Sequence, residues 1–345
     1  MPTRRDAIAA TLLAAAPWPA RAAGDAVVRV WATTDRSVAQ PLLDDFERQH
    51  AGWLVHFVQL GSAELHERFL AGGGHGVDVL WSSAMDLQTQ LVNDGHAARY
   101  ESPHAASLPR WAVWKHEAYG STFEPVGWAY HRKLLGADEV PRDHGALAAL
   151  LDAQRTRFRQ RVATYDVERA GLGYMIAAHD AMSWPRSWEL WRVLGRCQPQ
   201  LHEDSLGMLH GLASGRTLIA HNVLGPYAEA FARREPDIAV LYPDDYTLVL
   251  TRVAFIARHA PNPRGARLWL DHLLSVRGQQ ALAEGGGLYA VRSDAAPARS
   301  AAALEQRLGP AARPVVLGPG LLAHLAPSRR RSFLKRWTQA VRPGL

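Results

Sequence analysis

The first part of the chain alternates between short apolar runs and stretches with helical spacing. Mostly apolar residues run together at 27–32, 53–60 and 77–81, and each run is short enough to be a strand. After each run, apolar residues recur every three or four positions, which predicts amphipathic helices. Strands that alternate with helices predict a parallel sheet, and runs without polar alternation predict strands covered on both faces.

A second α/β pattern occupies the middle of the chain. Its predicted elements are an extended segment at 122–131, strands at 161–165 and 217–220, and helices near 146–151, 172–182 and 228–233. The β-rich run at 247–257 is too long for an ordinary strand within one domain, so it predicts a chain that crosses between two lobes. With another crossing near residue 125, the sequence predicts one lobe from 26–124 and 252–345, and a second from 125–251.

Composition places this pattern in a globular chain of two domains. The chain has 345 residues, of which 48% are hydrophobic and 21% charged. One cysteine, Cys197, excludes an internal disulfide and a zinc site built on paired cysteines. The formal net charge is +6, but the basic residues are spread along the chain without tracts interleaved with aromatics. We therefore expect no nucleic-acid partner.

The first 25 residues have the features of an export signal. Arg4 and Arg5 precede a short apolar run at 7–16, and Ala20-Arg21-Ala22 supplies a small-residue cleavage site. We expect cleavage after Ala22 or Ala23, export by the Sec or the twin-arginine route, and a periplasmic location. Cleavage there removes Arg4, Arg5, Arg21 and Asp6 and lowers the net charge to about +4, which is too small to indicate a polyanionic partner.

Small hydroxyl residues follow the three predicted strands and precede helices. They are Thr33 after the first strand, Ser62 after the second, and Ser82 and Ser83 after the third. In an open α/β sheet, ligands bind beyond the carboxyl ends of the strands, where helix N-termini favour anions. Any one of these residues could be only a helix N-cap, but their repetition at equivalent places favours a ligand site.

No pattern in the sequence predicts catalysis or a resident metal. The serines lie outside a Gly-x-Ser-x-Gly turn, and the 16 histidines form no His-x-x-x-His pair beside a carboxylate. The cluster His202-Glu203-Asp204 is interpreted as an exposed loop. We expect no catalytic residue, no metal and no cofactor.

These features together resemble the periplasmic solute-binding proteins of ABC importers. The resemblance rests on the export signal, on the segments 28–32 and 78–83, and on the crossing near residue 125. It is strongest for the branch of ferric-ion, phosphonate, phosphoglycerate and sugar-phosphate binders. It implies an α/β fold of two lobes, each a mostly parallel sheet flanked by helices, which two crossing strands join and which close on the solute.

The resemblance also implies the kind of partner. A monomer would deliver its solute to an inner-membrane ABC permease, and the alternative is a periplasmic sensor domain of a two-component system. Iron-binding members of the branch hold ferric ion with an Asn-x-Tyr-Tyr pattern. Here the matching stretch begins at Asn222 and continues Val223-Leu224-Gly225, so the paired phenolates that a hard ferric ion prefers are absent. Tyr227 follows but cannot replace both, so ferric ion is kept only as an alternative.

An oxyanion fits the remaining matched positions better. Thr34-Asp35 and Ser82-Ser83 correspond to ligand positions of the branch and are mostly hydroxyl-bearing. Arg169-Ala170-Gly171 matches a loop that holds an anion with backbone N–H groups at a helix N-terminus. The resemblance therefore implies a small anionic solute such as a phosphate ester, a phosphonate or a carboxylate.

Arg252 is a charged residue inside an apolar strand. A buried guanidinium is costly unless it is paired or faces a cavity. It could bind the oxyanion with two parallel hydrogen bonds, or it could form a structural ion pair with a carboxylate of either lobe. The sequence leaves both roles open.

Overall fold

The computed structural model describes residues 26–342, and the predicted export signal at 1–25 lies outside them. Within this range the strands are β1 (Val27–Ala32), β2 (Leu54–Gln59), β3 (Val79–Ser82), β4 (Val113–Trp114), β5 (Ala118–Gly120), β6 (Glu124–His131), β7 (Val162–Tyr165), β8 (Gln200–His202), β9 (Ile219–Leu224), β10 (Ile238–Leu241), β11 (Thr247–Leu250), β12 (Val253–Ile256) and β13 (Ala312–Pro314). The α-helices are α1 (Arg36–Gln49), α2 (Ser62–Ala71), α3 (Met85–Asn93), α4 (His144–Ala153), α5 (Arg155–Phe158), α6 (Gly171–Ser183), α7 (Ser187–Arg196), α8 (Ser205–Ala213), α9 (Gly225–Ala232), α10 (Pro263–Leu274), α11 (Val276–Gln280), α12 (Ala301–Leu308) and α13 (Pro327–Val341).

Two sheets form the centres of two lobes. The first has the order β2-β1-β3-β12-β5-β4, and the second has the order β13-β11-β6-β9-β7-β8, with β10 paired to β6. Strands β1, β2 and β3 are parallel, as are β7, β8 and β9, because a helix connects each to the next. The fold is therefore the predicted two-lobed α/β architecture.

Both sheets are mixed, whereas the sequence predicted mostly parallel ones. Strand β12 is antiparallel to β3 and β5, and β6 is antiparallel to β9, β10 and β11. The reason is that these strands enter a sheet from the other lobe or by a direct turn, without a crossover helix to reverse the chain.

The chain passes between the sheets at two neighbouring places. Residues 121–123 connect β5 of the first sheet to β6 of the second, and Thr251 and Arg252 connect β11 back to β12. The β-rich run at 247–257 is thus two strands in two sheets. The passages are joined to each other, since the Arg252 backbone N–H donates to Thr122 Oγ1 at 2.8 Å.

The end of the chain differs from the prediction that everything after residue 252 belongs to the first lobe. Strand β13 pairs with β11 of the second sheet, and α13 packs on α7 of the second lobe. A Cβ on Gly195 would lie 2.0 Å from the Ala340 carbonyl oxygen, so these helices touch through backbone. Trp337 and Val341 of α13 are buried in the second-lobe core. Local periodicity carries no signal for such a long-range contact.

None of the helices described between residues 26 and 342 has the length and apolar character that crossing a bilayer requires.

Candidate functional site: the cleft between the lobes

A cavity of about 330 Å³ lies between the two sheets, which is within the usual range for small-molecule sites. Its walls come from both lobes and consist of Thr33, Asp35, Gln59, Leu60, Gly61, Ser62, Glu64, Ser83, Tyr165, Leu172, Glu203, Asp204, Ser205, Leu206, Leu224, Tyr227 and Arg252. Six helices begin at this wall, α1, α2 and α3 from the first lobe and α6, α8 and α9 from the second. Their positive ends converge on the cavity and favour negative charge there.

Hydroxyl groups cap several of these helix starts. Ser62 Oγ accepts the Leu172 N–H of the opposite lobe at 3.1 Å, and Tyr227 Oη accepts the Asp35 N–H at 3.2 Å. A hydroxyl that accepts from the backbone keeps its own hydrogen, which it can donate to a solute oxygen. The cavity therefore offers O–H donors that contacts across the cleft hold in place.

Two pairs of hydroxyl groups in the wall also accept hydrogen bonds from backbone N–H groups. Thr33 Oγ1 accepts the Ser83 N–H at 3.1 Å and lies 3.4 Å from Ser83 Oγ. Tyr165 Oη lies 2.8 Å from Ser205 Oγ, which also accepts the Leu224 N–H at 3.0 Å. Each pair has one hydroxyl hydrogen to spare beyond the bond between its members.

Four carboxylates also line the cavity. Asp35 accepts the Gln59 amide at 2.8 Å, and Asp204 caps α8 by accepting the Gly207 N–H at 2.7 Å. Glu64 and Glu203 complete the set. Since carboxylates accept hydrogen bonds and donate none when ionised, they suit hydroxyl groups of a solute.

Arg252 is the one guanidinium among the residues that line this cavity, and its charge is compensated inside the protein. Its Nε lies 2.8 Å from Glu124 Oε1, its Nη2 donates to Glu124 Oε2 at 3.2 Å, and its Nη1 donates to Thr34 Oγ1 at 3.0 Å. Arg252 and Glu124 are each 1% exposed. Burial alone would lower the pKa of Arg252, but the carboxylate of Glu124 and the phenol oxygen of Tyr227 outweigh burial and raise the pKa. The structural ion pair that the sequence left open is therefore present.

Six of the predicted ligand residues line the cavity: Thr33, Asp35, Ser62, Ser83, Tyr227 and Arg252. Two others from the first lobe lie behind the wall. Thr34 is buried against Arg252, and Ser82 is buried with its Oγ accepting the Ala84 N–H at 3.2 Å.

The other predicted second-lobe residues do not line the cavity. Arg169 is exposed and pairs with Glu203 at 2.8 Å, while Ala170 is buried. Gly171 is the first residue of α6 and lies next to Leu172 of the wall, and a Cβ on Gly171 would lie 2.7 Å from a Leu87 methyl of the other lobe. Asn222 donates to Asp180 at 2.6 Å in a buried network and does not line the cavity.

Sequence reasoning missed six polar residues of the wall: Gln59, Glu64, Tyr165, Glu203, Asp204 and Ser205. A signal existed for two of them. Asp204-Ser205 follows a strand and begins a helix, as Thr33, Ser62 and Ser83 do. Strand β8 is only three residues long, so the sequence has no apolar run there that would predict a strand before this segment.

Among residues 26–342, no group of three or more His, Cys, Asp or Glu side chains is arranged to hold a metal ion. The phenols in the wall are Tyr165 and Tyr227, and burial raises the pKa of both above the ordinary value. Each hydroxyl is already engaged, Tyr165 with Ser205 Oγ at 2.8 Å and Tyr227 with the Asp35 N–H at 3.2 Å.

Two α/β lobes with a solute-sized cavity between them define a two-lobed binding protein. The sequence matches the family model for bacterial extracellular solute-binding proteins over residues 28–286, so the chain belongs to that family. The chain is accordingly a periplasmic solute-binding protein of an ABC transporter, with a small solute as ligand and a permease as partner. No curated protein matches the sequence.

Solved structures show the same fold. The substrate-binding protein of an ABC transporter from Agrobacterium tumefaciens is 30% identical, with a TM-score of 0.88 over 91% of this chain and 94% of that chain. AfuA from Actinobacillus pleuropneumoniae, a periplasmic binding protein with fructose-6-phosphate bound, is 16% identical with a TM-score of 0.75 over 92% and 99%. Iron-bound HitA from Pseudomonas aeruginosa is 16% identical with a TM-score of 0.71 over 92% and 99%. The last two identities are too low to transfer a ligand.

Proposed function

We propose that the protein captures a small hydroxylated organic anion, such as a phosphate ester, a phosphonate or a carboxylate, for import. The observation that carries this proposal is the convergence of six helix N-termini, three from each lobe, on one cavity. Such a site attracts negative charge with backbone N–H groups and helix dipoles. Closure of the two lobes would bury the anion before delivery to the permease.

The four carboxylates narrow the class of anion. They outnumber the single guanidinium, whose charge Glu124 already offsets, so a bare inorganic oxyanion meets like charge on several sides. A solute that also carries hydroxyl groups can donate hydrogen bonds to Asp35, Glu64 and Asp204 while its anionic group accepts from Ser62 and Tyr227. A hydroxylated ester therefore fits both sets of groups.

Mass spectrometry of the solute released from protein purified gently from a periplasmic extract tests this proposal. We expect a single organic anion with several hydroxyl groups at about one equivalent per protein. An uncharged or cationic solute, or inorganic phosphate alone, would contradict the proposal.

Removal of one hydroxyl donor tests the site directly. Tyr227→Phe keeps the ring but removes the O–H group, so the Kd for the released solute should rise about tenfold, as for a lost hydrogen bond to a charged group. Tyr130→Phe is the matched control because Tyr130, on β6, does not line the cavity. Calorimetric titration measures both. Equal affinity of the Tyr227→Phe variant and the parent protein would remove Tyr227 from the site.

Ferric ion is tested separately. Titration of solute-free protein with ferric citrate should give no visible charge-transfer band, because Val223-Leu224-Gly225 stands where iron-binding proteins of the branch have their paired tyrosines. A tyrosinate-iron band at one equivalent would contradict the proposed anionic ligand and identify ferric ion as the ligand instead.

A further inference from the structure

A second cavity, of about 390 Å³, lies beside the first. Asp35, Leu206 and Tyr227 line both cavities, so the two are neighbours that share a wall. Both lobes contribute to the second cavity too: α1 and residues 284–288 come from the first lobe, and α8 and α9 from the second. At this shared wall the Asp35 N–H donates to Tyr227 Oη at 3.2 Å. A solute that reaches both cavities would pass beside this contact and stay between the lobes.

The second cavity differs from the first in its chemistry. Its apolar lining residues include Val38, Leu206, Pro226, Phe231 and Leu288. The rings of Phe231 and His210 pack edge to face, with centroids 5.4 Å apart, and form an aromatic corner. The first cavity presents hydroxyls and carboxylates, whereas this one presents hydrocarbon and ring surface.

One wall of the second cavity consists of backbone without side chains. Gly285, Gly286 and Gly287 follow one another there. A Cβ on Gly286 would lie 2.5 Å from the Val38 carbonyl oxygen, so this segment packs directly on α1. These glycines let the segment approach α1 closely, and they present only backbone atoms to the cavity.

The charged groups that line the second cavity include both signs. Arg233 and Arg234 stand against Glu235 and Glu284. With Asp35, which lines this cavity too, two positive side chains face three negative ones, in contrast to the helix N-termini that converge on the first cavity. The second cavity is therefore better suited to an uncharged part of a solute than to a second anionic group.

We propose that the solute is elongated, with its hydroxylated anionic group in the first cavity and an apolar ring or chain in the second. This inference rests on the proposed function for the anionic group. It adds a second recognition element that would bind a substituent of the ester. This element consists of the aromatic corner and the backbone wall at Gly285, Gly286 and Gly287. Burial of that substituent supplies affinity that a short solute lacks.

A matched pair of probes tests the inference. Ribose 5-phosphate and adenosine 5′-monophosphate share a phosphorylated sugar and differ by an aromatic ring system. Calorimetric titration should give adenosine 5′-monophosphate a Kd at least about tenfold lower, through burial of the ring.

A substitution that fills the second cavity should remove this advantage. Ala213 is an exposed residue at the end of α8 that lines only the second cavity, so Ala213→Trp places an indole there without disturbing a core. The two Kd values should then become equal, and that of ribose 5-phosphate should not change. Ala153→Trp is the matched control, since Ala153 is an exposed residue at the end of α4 and lines neither cavity.

The outcomes separate the two proposals. Binding of both probes with equal affinity, unchanged in Ala213→Trp, would overturn the second recognition element and leave the proposed function intact. Failure of both probes to bind would count against a phosphorylated sugar. In that case the second cavity is tested on its own, by measuring the binding of free indole with ligand-observed NMR. Indole binding that Ala213→Trp abolishes and Ala153→Trp retains would support the inference, and any other indole result would overturn it.

Discussion

Replacement of Arg252 by Met should destabilise the solute-free protein by about 3–5 kcal/mol. The substitution removes one partner of a buried pair and leaves the Glu124 carboxylate, 1% exposed, without its countercharge. Among the described residues, the Glu124 carboxylate then keeps one hydrogen bond, which Thr122 Oγ1 donates at 2.7 Å. Urea denaturation of the solute-free protein measures the change in the free energy of unfolding.

An exposed ion pair of similar geometry provides the control. Arg142 Nε lies 2.7 Å from Asp244 Oδ2, and both side chains are largely exposed, so Arg142→Met should leave the free energy of unfolding nearly unchanged. If Arg252→Met left stability unchanged and reduced only solute affinity, the pair with Glu124 would not be the main partner of Arg252. The double variant Arg252→Met, Glu124→Leu should recover much of the lost stability, because no uncompensated charge remains.

Replacement of Asp86 by Asn should stabilise the protein at pH 8 and have little effect at pH 4. Asp86 lies in the first turn of α3, is 1% exposed, and accepts the Leu87 N–H at 2.8 Å. Its Oδ2 has no hydrogen-bond partner among the described residues. Burial raises the pKa of this carboxyl to about 7, although the backbone N–H groups and the nearby guanidinium of Arg330 act in the opposite direction.

The sign of the effect follows from proton binding. Between the ordinary pKa of 3.8 and the folded pKa of about 7, the unfolded chain releases the proton and the folded chain keeps it. The contribution of Asp86 to stability is therefore fully present below pH 3.8 and is lost as the pH rises to about 7. The loss is of the order of 4 kcal/mol, at about 1.4 kcal/mol for each pKa unit.

Urea denaturation of the parent and the Asp86→Asn variant at both pH values measures the effect. Asp94→Asn serves as the control, because Asp94 is an exposed carboxylate at the C-terminal end of the same helix. A gain for Asp86→Asn that is the same at pH 4 and pH 8 would show that the carboxyl does not titrate between them.

The site residues that could be predicted are those whose position follows from the local order of strands and helices along the chain. Thr33, Ser62 and Ser83 reach the cavity because strand ends of one sheet meet at one edge, and a strand followed by a helix start is visible in the sequence. Arg169 does not reach it because it lies in a turn, and Asn222 does not because it lies in β9 where the pairing with β6 is irregular. Asn222 adopts a φ of +63° and bonds to Asp180, and Arg169 turns to Glu203 at the surface.

In the fold, too, features set by the local sequence could be predicted and features set by long-range contacts could not. The alternation of strands and helices predicts two α/β lobes and the neighbourhood of both crossings. The packing of α13 on α7 could not be predicted, since it joins residues such as Gly195 and Ala340 that are far apart in the chain. The pairing of Arg252 with Glu124 likewise depends on two passages that come together only in the folded protein.

The attachment of β13 and α13 to the second lobe has a mechanical consequence. Between the π-helical turn at Ala281–Gly285, which packs on α1, and β13, the polypeptide passes between the lobes for a third time. Two adjacent connectors would let the lobes both bend and twist, whereas a third connector held in the second sheet resists torsion. The third connector therefore restrains the twisting of one lobe against the other, and a protease nick at Thr251 or Arg252 would leave them covalently joined.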